Sequence, residues 1–446
     1  MSADRTIVHK TILVGGLTLS AATLPFSIKI CHAAIIILVF GWIIEGQWRE
    51  KIAVIQHSLL LQVIIALFFL QVLGLAFADD FARGWFSLEK KVFFFLIPVA
   101  LATTPIKLSR REIKLVIGGF LAACFIGTLV CLVNAWQQTN LVTAGEGVVN
   151  YHLSSSDYPI LHALRSEKWL LFSYVSLSEG ISIHPTYFSL FLVFNIIFLV
   201  TEFAHLKSLL LKTGALVLIF YFAIFAVFLA SRIAILGLFF IFIFLLIRTI
   251  GHKQKYFSLM TMAVVFVFCF LLFLNPVSRY RSLQEINTSV FDIQPGNNYT
   301  NSGQIRVSLW WLAAKSLTNV NLVSGTGTGD VEKMMARTGK QYRVTNIINS
   351  FDPHNQYLYT LLGHGYPGFF LLILCLGLPV YFAWVQKDYM LLGFSCLFIL
   401  LCFTESALEL QKGIVFYSLF SALLFFQFHS FQCVSINLKS LLRGGH

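Results

Sequence analysis

Residues 209–248 read LLLKTGALVLIFYFAIFAVFLASRIAILGLFFIFIFLLIR, a stretch whose only charges are Lys212, Arg232 and Arg248. On either side of Ser231-Arg232 stands an apolar run close to the roughly 20 residues that cross a hydrocarbon core at about 1.5 Å per helical residue. Neither run alternates with period two, so both read as helices. Two spans must then meet in a tight turn with the Arg232 guanidinium at or just inside the membrane boundary. A charge there is costly unless it snorkels or meets an anion. The whole chain repeats this character. Of 446 residues, 57% are hydrophobic, 12% are charged and 45 are Phe, and the mean hydropathy is +0.79. A soluble fold would turn much of that surface to water, whereas a polytopic membrane protein turns it to lipid.

Further apolar runs fall at 11–28, 30–45, 57–77, 89–105, 113–135, 184–201, 256–275, 363–386, 389–403 and 412–430. Together they predict an all-α polytopic membrane protein of about twelve transmembrane helices. With the N-terminus cytoplasmic, the inner segments hold Arg5, Lys10, Arg49, Lys51, Lys107, Arg110, Arg111, Lys114, Lys207, Lys212, Arg248, Lys253, Lys255, Lys387, Lys439 and Arg443. The opposite short segments hold Lys29, Arg83, Lys90, Lys91, Arg232 and Lys412. This positive-inside bias puts both termini in the cytoplasm and two polar intervals, 137–183 and 276–359, on the outer face. The chain divides accordingly into residues 1–275 with nine spans, the large outer loop 276–359 between helices nine and ten, and residues 360–446 with the last three spans.

Several classes are disfavoured. The formal charge of +12 is dispersed among short connections instead of forming a patch, so nucleic acid is not an expected partner. The eight Cys residues lack CxxC spacing and lie mostly singly in apolar runs, which argues against a disulfide framework or a thiolate metal site. The basic residues before the first run precede a retained helix and not a cleaved signal. No repeated pair of Gly/Pro-interrupted spans suggests an inverted-repeat transporter. An outer-face site has no access to cytoplasmic ATP, so group transfer there needs a donor already activated and bound to the membrane.

Polar chemistry concentrates in the outer intervals. The first contains His162, Arg165 and Lys168 and leads to His184-Pro-Thr-Tyr187, with His184 suited to capping the next span or lining a site. In the second, Arg279 and Arg281 read as interfacial or phosphate-near charges. Arg306 and Trp310 are four apart on a predicted helix and share a face fit for pyrophosphate and sugar. Gly325-Thr-Gly-Thr-Gly329 lacks the Lys-Ser/Thr ending of a nucleotide loop and reads as a tight turn with secondary ligand contact. In Asp352-Pro-His354-Asn355 an imidazole stands before a helix, with Asp352 or Asn355 to orient it and His184, His162 and His364 as rival bases. Glu405 and Glu409 lie four apart at the last outer turn, within reach of cavity arginines.

These motifs together resemble the O-antigen ligase and polymerase superfamily: Ser231-Arg232 opening a span, the Arg306 helix with Trp310, the glycine turn, Asp-Pro-His354-Asn355-Gln-Tyr-Leu with Gly363 and Gly368, Thr404-Glu405, and Glu409-Leu-Gln411. The resemblance implies a bacterial inner-membrane, glycosyltransferase-like enzyme acting on the periplasmic face without a metal or other cofactor. Its donor would be an undecaprenyl-diphosphate-linked glycan. Its acceptor would be a sugar hydroxyl of lipid A core in a ligase, or another lipid-linked repeat unit in a polymerase. The ligase is the favoured form, with a lipid or glycan transporter as the alternative of another class. By the same resemblance Arg232 and Arg306 engage pyrophosphate and His354 activates the acceptor hydroxyl. Trp310, Asn355, Tyr187, His184, Arg279 and Glu405 complete the expected substrate site.

Overall fold

A computed structural model describes residues 3–143, 171–250, 302–344 and 351–427. Every regular element among them is helical, and the helices of ten residues or more are α1 (Ala3–Thr23), α2 (Ile28–Ile44), α3 (Trp48–His57), α4 (Leu59–Gly74), α5 (Phe81–Thr103), α6 (Arg110–Thr143), α7 (Pro185–Glu202), α8 (Leu209–Phe228), α9 (Arg232–Ile250), α10 (Ser302–Ser316), α11 (Val331–Gln341), α12 (Gln356–Gln386), α13 (Tyr389–Thr404) and α14 (Gln411–Ala422). Short polar residues between apolar runs start these helices. Ser27, Ser58, Asp80, Ser208, Asn355 and Asp388 each accept a hydrogen bond from the first turn that follows, a contribution of about 1 kcal/mol per cap. The expected ninth span, Arg279, Arg281, His162 and most of the interval 137–183 lie outside the described residues.

Among the described residues five helices are long and apolar enough to cross a membrane: Leu59–Phe77, Arg110–Asn140, Pro185–His205, Leu209–Phe228 and Gln356–Gln386. A sixth results if α2 and α3, bent by 109° at their junction, form one broken span. Length and composition thus account for five or six spans among the described residues, against the eleven of the twelve expected spans that fall wholly or largely within them. The physical reasons are specific. Helix α5 has 23 residues but carries Glu89, Lys90 and Lys91, and α13 has only 16. Helix α3, unforeseen in the sequence, is pinned by Lys51, whose ammonium is buried 3.3 Å from Glu45 and 4.4 Å from the Trp42 ring centre.

Phenylalanines knit the bundle. Phe120 of α6, Phe191 and Phe194 of α7, Phe394 of α13, and Phe416 and Phe420 of α14 are all buried, with Phe194 and Phe420 rings 4.6 Å apart. Other apolar side chains point away from the bundle, Phe40, Leu73, Phe370 and Trp384 among them. Such a surface is stable against hydrocarbon and not against water.

At one end, Lys10 pairs with Glu112 and Lys114 with Glu202. The opposite end carries a second, smaller core, in which Leu309, Leu312 and Ala313 of α10 meet Val331 and Met335 of α11 and Tyr359 and Leu362 of α12. The glycine turn anchors this cap to the bundle. Gly325, Gly327 and Gly329 all have positive φ, a region open to glycine at little cost. Thr326 and Gly327 donate backbone N–H bonds to Leu362 and Gly363, and Thr328 donates to Gly74. The amides expected to be partly free for a ligand are therefore spent on helix ends. A Cβ at Gly325 would collide with the Gly363 carbonyl. Gly325→Ala should cost several kcal/mol, combining left-handed strain with that clash, and should appear as a lowered thermal midpoint and faster proteolysis of this cap.

Candidate active site

Local chemistry places His354 before it meets any partner. Pro353 cannot donate a backbone hydrogen bond, and Asp352 Oδ1 instead accepts from the His354 N–H at 2.8 Å. His354 takes φ 45°, a left-handed conformation uncommon outside glycine. Asn355 then caps α12 by accepting from Leu358 N–H at 3.0 Å, and its amide donates to Phe403 O at 3.2 Å. The imidazole is thus presented at the mouth of α12 against the end of α13.

Glu405 stands there, immediately beyond α13. Its Oε2 lies 3.1 Å from His354 Nδ1, and its Oε1 accepts from the Arg306 guanidinium at 2.6 Å. The Glu405 side chain is only 7% exposed, whereas Arg306 is 21% and His354 36% exposed, so the carboxylate is shielded while the imidazole stays open at the rim. Burial disfavours the imidazolium, but the hydrogen bond and charge of Glu405, with Asp352 behind it, outweigh burial and the opposing charge of Arg306. The His354 pKa is raised above its ordinary value. Burial likewise disfavours the Glu405 carboxylate, yet the His354 hydrogen bond and the charges of Arg306, His354 and His184 hold its pKa below the usual value.

A carboxylate at Nδ1 selects the Nδ1–H tautomer and leaves Nε2 as the proton acceptor. This corrects the expectation that Asp352 or Asn355 orients the ring. Asp352 fixes the His354 backbone and takes a second bond from Ser406 Oγ at 2.5 Å, while Asn355 is spent on the cap and on Phe403. Glu405 was read from the sequence as a partner for an arginine; the contact to His354 was missed, together with Ser406, which follows it after the apolar run 389–403 and puts a hydroxyl on the same rim.

The other candidates take distinct places. His184 caps α7, its Nδ1 accepting from Thr186 N–H at 3.3 Å, and its charge reaches Glu405. Tyr187 is 3% exposed and packs behind the site near Gly413, so it backs the rim and does not line it. His364, a rival base, is buried where α12 crosses α4 at Gly74 and packs there. Trp310 shares the face of Arg306 as expected. It borders an apolar cavity of about 510 Å³ with Asn355, Tyr357, Phe369 and Phe403. Arg232 opens α9, and five residues on, Gly237 packs on Leu397 and Val193. Among the described residues no group of three His, Cys, Asp or Glu side chains is placed to hold a metal ion.

Fold and site describe a helical membrane protein with an imidazole, a carboxylate and a guanidinium joined at one rim. Residues 214–373, which include Arg232, Arg306 and His354, match the family model of the O-antigen ligases and place this segment in the O-antigen ligase superfamily. That family covers ligases and related polymerases, bacterial membrane enzymes that modify glycans. Glu405 and Ser406 lie beyond the matched segment. No curated protein matches the chain.

Proposed function

We propose that the protein transfers a glycan from undecaprenyl diphosphate to a sugar hydroxyl of lipid A core on the periplasmic face of the bacterial inner membrane. The observation that carries the reading is Glu405, which holds His354 through one oxygen and Arg306 through the other. His354 Nε2 takes the proton of the acceptor hydroxyl as its oxygen attacks the anomeric carbon. The bond from that carbon to the diphosphate breaks, and the electron pair leaves with the lipid diphosphate. Arg306 and Arg232 neutralise the departing charge through charge-assisted hydrogen bonds. Attack in line with the leaving group inverts the anomeric configuration. The apolar cavity beside Trp310 and Phe403 suits a lipid chain at the membrane rim.

Purified protein given lipid-linked glycan with and without lipid A core tests this reading. Transfer to core is the expected result. Lengthening of the lipid-linked chain without core would instead make the protein a polymerase, and movement of intact lipid-linked glycan across vesicles without transfer would make it a transporter. Arg232→Ala should weaken donor binding by about 10- to 100-fold, the size of a lost charge-assisted bond, measured by titration with the lipid diphosphate. Unchanged affinity would remove Arg232 from the donor site.

A further inference from the structure

Helix α5 contributes no side chain to the bridge of His354, Glu405 and Arg306, yet it sends one charge to the segment that carries Glu405. Lys91 lies near the middle of α5 and is 4% exposed, and Glu409 is 7% exposed. The Lys91 ammonium is 2.7 Å from Glu409 Oε2 and 5.7 Å from the Tyr359 ring centre. Glu409 Oε1 accepts from the Gln356 amide at 3.3 Å, and Gln356 Oε1 accepts from Leu408 N–H at 2.7 Å. The amide orientation is thereby set at both ends, because a flipped Gln356 would face one N–H with another. Gln356 is the first residue of α12, two positions after His354, and Leu408 is three positions after Glu405. The same connector is held again by Ser406 on Asp352.

A buried ion pair is poor evidence of stability, since apolar residues of similar volume often serve as well. The charges here are arranged to do something else. We propose that Lys91 and Glu409 are positioning residues: through Gln356 they lock the 405–410 connector onto the start of α12 and so set Glu405 against His354 Nδ1. The inference rests on the reading of His354 as the acceptor base only for its catalytic consequence. Its geometric content stands apart from that reading.

The groups facing His354 are Glu405, Asp352 and Arg306, with His184 reaching Glu405. Loosening the connector removes the raising influence of Glu405, and the His354 titration should move down towards its ordinary value. Single replacements leave one buried charge unpaired and risk misfolding. The test therefore uses the paired variant Lys91→Met/Glu409→Leu in the full-length protein, with Lys91→Met/Glu409→Gln as the conservative companion that keeps the acceptor for Gln356. The His354 imidazole resonance is titrated by NMR in labelled protein, assigned by its loss in His354→Ala, and transfer is measured alongside. In the folded Met/Leu protein the titration should fall, and transfer should drop on the order of 10²-fold, the cost of about 1 Å of misplacement. The Met/Gln protein should recover both. A folded Met/Leu protein with the wild-type His354 titration would overturn the positioning role whatever its transfer rate. If the titration falls while His354→Ala still transfers glycan, positioning stands and the base assignment fails.

Discussion

His354→Ala should lower glycan transfer by about 10²- to 10⁴-fold, the range supplied by a positioned general base, while affinity for the lipid diphosphate stays near that of the unaltered protein. The split follows from the geometry. The imidazole meets Glu405 through Nδ1 and leaves Nε2 for the acceptor, so its removal deletes a proton acceptor without touching a cation. The loss belongs in kcat, because the interaction is made as the hydroxyl proton moves. Single-turnover transfer at saturating donor, paired with a donor-binding titration, separates the two. An alanine variant that transfers at the original rate would assign the base elsewhere, with His184 the next imidazole at the rim.

Glu405→Gln should be nearly as damaging, on the order of 10²- to 10⁴-fold, as when an orienting carboxylate is lost from a histidine pair. It should also change the shape of the pH profile. A base works in its neutral form, so the acid limb of the rate follows the His354 pKa, which Glu405 raises. With His354 as the base, that limb should lie above the ordinary histidine value in the unaltered protein, with activity lost as pH falls through it. In the glutamine variant the raising charge is gone, and the limb should move to lower pH while the plateau drops. Rate measurements from pH 5 to 8.5 decide it. A lowered plateau with an unmoved limb would show that Glu405 acts through Arg306 alone. The same substitution removes the negative charge opposite Arg306 while leaving an amide oxygen to accept its hydrogen bond, so donor affinity should hold or rise.

Much of this arrangement was legible in the residues. The apolar runs located the helices, short polar residues marked their starts, and Arg306, Trp310, His354 and Asn355 could be placed on their elements before any coordinates. Glu405 was legible as a rim carboxylate within reach of an arginine, and that pairing is present. Its hold on His354 was not legible, because a contact across 51 positions depends on how α12 and α13 pack, and no local spacing encodes that. The helix beginning after Asn355 was legible although the apolar run starts only at 363, but the break inside it was not. Gly365 takes φ 61° and breaks the helix, so a polar first segment and an apolar second segment meet at a kink. Helix α11 escaped because its buried face packs against α10 and α12 in the smaller core and not against lipid, and hydropathy registers only the latter. The number of spans was read from hydropathy alone, and a charged helix such as α5 shows how that measure and helix length diverge.

The glycine turn also bears on the order in which the molecule is built. Thr328 donates its backbone N–H to Gly74 O at 3.1 Å and its hydroxyl to Gln71 O at 2.6 Å, while the neighbouring Gly327 binds Gly363. The joint thus unites parts of the chain made some 250 residues apart, and it cannot close until α12 has emerged from the ribosome and inserted. With synthesis running from the N-terminus at about 5–20 residues per second, α4 waits on the order of ten seconds or more with the carbonyls of Gln71 and Gly74 lacking these partners. The rim that carries His354 is consequently among the last parts of the protein to take shape, and nascent chains stalled before α12 should remain without transfer activity however completely their earlier helices have entered the membrane.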